Sequence, residues 1–61
     1  MIEEYFIRYK FDNTAKLGME ETQGKVLYAV SGHDAIKELK KKEEEKGNDV
    51  IEIIDVKLLE N

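Results

Sequence analysis

The chain has 61 residues, 41% of them hydrophobic and 39% charged, with a formal net charge of −4 and no Cys, Pro or Trp. That length fits one small domain, and the lack of Cys excludes disulfides and thiolate metal sites as supports for it. The acidic balance counts against a nucleic-acid binder, whose affinity rests on neutralising phosphates, and no stretch approaches the roughly 18 apolar residues of a membrane span.

The N-terminus, MIEEYFIRYK, carries acids where a secretory signal needs bases. The expectation is a cytoplasmic protein that folds on apolar packing alone. The first element is a strand over Ile2–Phe11. Tyr5, Ile7, Tyr9 and Phe11 alternate with Phe6, Arg8 and Lys10, and a period of two marks a strand with one buried side. Phe6 is the exception, an aromatic on the side that carries the two bases. Asp12-Asn13-Thr14 has turn chemistry and Gly18 is a second breaker, so residues 12–21 read as a long hairpin connection, parts of which can extend either strand. The second strand spans about Thr22–Ser31. Its centre is apolar on both sides, with Val26, Tyr28 and Val30 on one and Leu27 and Ala29 on the other, which suggests that both sides are covered.

A helix follows. Ser31 is its capping residue and Asp34 occupies the capping-box position three residues on. It should run to Lys46, with Gly47 as the left-handed residue that ends it. Its apolar stripe is thin, consisting of Ala35, Ile36 and Leu39, and the last two turns read as solvated all round. Pairs such as Glu38–Lys42 and Lys41–Glu45 support that end at about 0.2–0.5 kcal/mol each. Glu43, Glu44 and Glu45 read as a solvated acidic surface. The third strand covers Val50–Leu59. Val50, Ile54, Val56 and Leu58 share one parity, and Ile51, Ile53 and Leu59 the other.

The order is ββαβ. A hairpin followed by a right-handed crossover predicts an α+β fold, a three-stranded antiparallel sheet in the order 2-1-3 with one helix packed on one face, spanning 1–61 as a single domain. Three helix residues cannot cover the apolar side chains of three strands. The second face should therefore hold Phe6, one of the two sets of the second strand (Leu27 and Ala29, or Val26, Tyr28 and Val30), and Ile51 with Ile53, and small proteins avoid leaving such a patch in water. The other solution is a loop over residues 12–21 that folds across that face with Leu17 and Met19 as plugs.

Catalytic chemistry is thin. His33 is the only His and has no convergent partners by spacing. Ser31 is a cap and has no base placed for a triad. The four glycines form no phosphate loop. No calcium-type loop is present. No enzyme, cofactor or metal is expected. Phe6, Arg8 and Lys10 on one strand side, with Tyr28 near them, are the one foothold for stacking nucleobases.

The stretch Leu27-Tyr28-Ala29-Val30-Ser31-Gly32-His33-Asp34-Ala35-Ile36 resembles a strand-to-helix signature found in many small ββαβ-type proteins of phages and prokaryotes. It departs from the commonest form in having Gly32 and His33 where acids are frequent. The resemblance covers about ten residues and implies a packing arrangement, not an activity. The functional expectation is a small non-enzymatic protein-binding module, for example a phage-type inhibitor or regulator of a larger protein. It would act through the uncovered sheet face or an edge strand and bind a protein partner or itself as a homodimer. Candidate contacts are Phe6, Arg8, Lys10, Tyr28, Ile51 and Ile53, with Lys16, Leu17 and Met19 in the loop. A sheet-based nucleic-acid accessory protein and a homo-oligomeric structural subunit are the competing readings.

Overall fold

A computed structural model describes residues 1–13 and 18–59 of the protein. Strand β1 (Glu3–Asn13) and strand β2 (Glu20–Ala29) form a hairpin, helix α1 (Gly32–Glu45) crosses back, and strand β3 (Asn48–Leu59) completes the sheet. The sheet order is β2-β1-β3, with β1 antiparallel to both neighbours. This is the expected ββαβ arrangement. Beta-1, the strand with the cleanest alternation, is the central one.

The hairpin is longer than the sequence suggests. Asp12 and Asn13 continue β1 instead of turning, and Glu20 and Glu21 already belong to β2. Gly18 adopts φ 79° just before β2, a region closed to most side chains. The helix ends as expected. Ser31 Oγ accepts a hydrogen bond from the Asp34 backbone N–H at 3.2 Å, Lys46 is the C-terminal cap, and Gly47 follows at φ 81°. The Gly47 N–H donates to the Glu44 carbonyl at 3.0 Å, which satisfies one of the carbonyls a helix end leaves unpaired.

The core lies between the helix and one sheet face. Ile7, Tyr9, Phe11, Leu27, Ala35 and Leu39 are buried, and Tyr5, Ala29, Ile36, Val50, Ile53 and Val56 pack around them. On β2 Leu27 is buried, and Lys25 and Ala29 on the same side are half-buried. Val26, Tyr28 and Val30 are exposed, so the expectation that both sides of β2 are covered fails. One helix supplies one layer, and it packs more closely on β3 than on β2.

Neither parity of β3 is buried as a set. The register against β1 slips twice, between Arg8 and Tyr9 and between Lys10 and Phe11. Ile54 and Ile51 are the extra residues at these bulges, and each bulge resets the alternation. Val50, Ile53 and Val56 therefore stand opposite Phe11, Tyr9 and Ile7 on the helix side. The expected placement of Ile53 on the uncovered face is thus corrected: a bulge turns it into the core, while Ile51 and Ile54 are left exposed.

Candidate functional site

Two places gather chemistry beyond simple packing. The first is a buried polar cluster under the last helical turns. Ala35, Leu39 and Glu43 follow one another at four-residue spacing and form the buried column of α1. Glu43 is only 1% exposed, so the expected all-round solvation of this end is corrected. Its carboxylate accepts from the Tyr9 hydroxyl, from Asn48 Nδ2 at 2.9 Å and from Lys25 Nζ at 3.3 Å. Burial alone pushes the Glu43 carboxyl up. Hydrogen bonds from Tyr9, Asn48 and Lys25, together with the Lys25 charge, outweigh that and hold it below its ordinary value. The Tyr9 hydroxyl is pushed well above its ordinary value, by burial first and then by its bond to Glu43 and the Glu43 charge.

A signal for this cluster exists in the sequence. Lys25 shares the parity of Leu27 and Ala29, and a lysine on a covered strand side needs an acid above it. Glu43 continues the Ala35–Leu39 column. The Glu43 carboxylate is buried among these donors, while Asn48 Oδ1 is buried without a hydrogen-bond partner among the described residues and the Lys25 side chain is 25% exposed. The cluster anchors the helix end to all three strands.

The second place is the open sheet face and its edges. Phe6 does not stand free. Its ring lies on Gly24, where a Cβ would come within 2.5 Å of the ring. Arg8 stands opposite Asp55 and Lys10 opposite Glu52, and Lys10 also pairs with Glu20 at 3.8 Å. Acids thus flank both expected contact bases on the open face, as an ion pair for Lys10 and as a register neighbour for Arg8. Tyr28 is 66% exposed, and its hydroxyl donates to Glu4 at 2.7 Å. That bond, with the Glu4 charge, raises the Tyr28 hydroxyl above its ordinary value.

The exposed apolar surface is therefore gathered along the edges of the sheet. On the β3 side are Ile51, Ile54 and Leu58. On the β2 side are Ile2, Val26, Tyr28 and Val30. A groove runs along the outer edge of β2, lined by these four with Leu27 and Ala29 and, from the helix, by Asp34, Glu38 and Lys42. Met19 is exposed at the start of β2 and does not plug the open face, while Lys16 and Leu17 lie outside the described residues. The structure brings Phe6, Arg8, Lys10 and Tyr28 together on the open face. It moves Ile53 to the core and Ile51 to the far edge.

Among the described residues no group of His, Cys, Asp and Glu could hold a metal ion, and no helix is long and apolar enough to cross a membrane. No protein-family model, curated protein or solved structure matches the chain.

Proposed function

We propose that the protein is a small non-enzymatic, cytoplasmic protein-binding module that recruits a partner at the free edge of β2, in the manner of a phage-type inhibitor or regulator. The observation that carries this reading is the contrast between the two sheet edges. The β3 edge is interrupted by two bulges, a device that blunts strand addition. The β2 edge pairs with β1 in unbroken register from Ala29 to Glu20. An open, regular strand edge is a template for a further strand, whose main-chain hydrogen bonds supply affinity and whose side chains supply specificity.

The side chains beside that edge fit the role. Val26, Tyr28 and Val30 are 45%, 66% and 59% exposed, and Tyr with flanking aliphatics is a common anchor at interfaces. The absence of Cys is compatible with a reducing compartment. The polar cluster around Glu43 supports a non-enzymatic reading, because its donors are spent on holding the helix.

Immobilised wild-type chain and the Val26→Lys/Tyr28→Lys double variant provide the test. Proteins held by the wild type should be lost from the variant, since two ammonium groups would face an apolar contact. Equal retention on both would overturn the reading.

A further inference from the structure

We infer that the partner at the β2 edge is a second copy of this chain, paired antiparallel about a two-fold axis at Tyr28. The inference rests on the protein-binding reading above and names the occupant of the groove. A two-fold axis is the simplest way for one surface to close on itself.

The apolar segment Val26-Leu27-Tyr28-Ala29-Val30 is self-complementary about its middle residue. An axis at Tyr28 sets Val26 opposite the copy's Val30, Leu27 opposite its Ala29 and Tyr28 opposite itself. Shifting the axis to Leu27 would set Ala29 against Lys25 and Val30 against Gly24. Shifting it to Ala29 would set Val26 against Gly32 and Leu27 against Ser31, at the helix start. Directly opposite residues share a sheet face, so both helices lie on the same side of the resulting six-stranded sheet.

The helix wall of the groove has the same symmetry. Alpha-1 runs back along β2, so Asp34 lies at the Val30 end of the groove and Lys42 at the Val26 end. Asp34 to Lys42 covers about 12 Å of helix at 1.5 Å per residue. Val26 to Val30, the last of these one residue past the end of β2, spans about 13 Å at 3.3 Å per residue. The two rows match in length, so the axis that pairs Val26 with the copy's Val30 also brings Lys42 to the copy's Asp34. Glu38 lies nearest the axis, and Lys42, four residues on in the same helix, offsets its charge. The axis thus forms two reciprocal Lys42–Asp34 pairs, which set register and orientation, and places Glu38 opposite its own copy between them.

Because the chain has no Cys, single cysteines report this geometry cleanly. The full chain carrying Tyr28→Cys should crosslink under mild oxidation, since directly opposite strand residues have Cα atoms within disulfide reach. Val26→Cys alone and Val30→Cys alone should stay at background, about 13 Å from their own copies, and a mixture of the two should crosslink. Light scattering on the unmodified chain at high micromolar concentration should give twice the 7.1 kDa chain mass. Circular dichroism on each variant checks that it is folded. Crosslinking of Tyr28→Cys no stronger than that of Val26→Cys overturns the register. A chain that remains at 7.1 kDa overturns the second copy. If that monomer still holds proteins lost from Val26→Lys/Tyr28→Lys, the binding reading survives without it.

Discussion

At the scale of single residues, the most consequential group is Glu43. A carboxylate at 1% exposure is tolerable only because Tyr9, Asn48 and Lys25 all donate to it. Replacing Tyr9 by Phe removes one charged hydrogen bond, and the expected loss is about 1.5–3 kcal/mol in chemical denaturation. Glu43→Gln should cost about 1–3 kcal/mol, because an amide cannot accept from all three donors. The double variant should lose less than the sum, since both changes break the same bond. The pH dependence has a sign at each end. Glu43 titrates lower in the folded chain than unfolded, so its stabilisation is present above the usual carboxylate range and is lost as pH falls through the folded value. Tyr9 titrates higher when folded, so its stabilisation is intact below about pH 10, its unfolded value, and is lost as pH rises toward the folded value. Thermal melts across pH should show a plateau bounded on both sides, with the alkaline limb reduced in Tyr9→Phe, since Lys25 and Tyr28 also titrate higher when folded.

At the scale of elements, β3 separates what a pattern can say from what pairing decides. Its sequence, VIEIIDVKLL, carries apolar residues at both parities, and either set could serve as the core side. Two bulges resolve this by packing Val50, Ile53 and Val56, each partly buried, against the core at three-residue spacing. The register makes a sharp prediction. Ile51→Lys and Ile54→Lys should each change stability by less than about 0.5 kcal/mol, as exposed positions do. Ile53→Lys should cost about 1–3 kcal/mol, since it replaces a partly buried side chain packed on the core. Strict alternation would make Ile51 and Ile53 alike, so equal effects at those two positions would refute the bulged register. Beta-2 carries the opposite lesson. Its unbroken pairing leaves an edge with no bulge or proline to discourage a further strand.

At the scale of the molecule, the protein is a single helix laid on a three-stranded sheet. Its Cα extents are 38 × 18 × 14 Å, which leaves room for one packed interface and no second layer. A core this small leaves a stability of about 3–5 kcal/mol. Leu39→Ala, in the middle of the only buried helix column, removes about 2–5 kcal/mol. That substitution should leave the chain largely unfolded at ambient temperature by circular dichroism. Near-native stability for Leu39→Ala would mean that the helix is held chiefly by the Glu43 cluster and not by apolar packing.

Much of this was legible in the residues themselves. Alternation in β1, the Ser31 cap, the Gly47 stop and the ββαβ order depend on interactions between near neighbours in the chain, and each left a local pattern. The surplus of apolar strand residues over helix residues was also visible, and it pointed correctly to apolar surface left outside the core. Its location was not legible. The buried side of β2, the bulges of β3 and the burial of Glu43 depend on which distant residues meet. A lysine on one strand, a tyrosine on another and a glutamate on the helix become one site only when Lys25, Tyr9 and Glu43 are brought together by packing. Sequence alone determined the elements and their order, because hydrogen bonding and periodicity act over a few residues. The tertiary structure alone decided that the exposed apolar surface lies at the sheet edges, because register and burial are set by pairing across the fold.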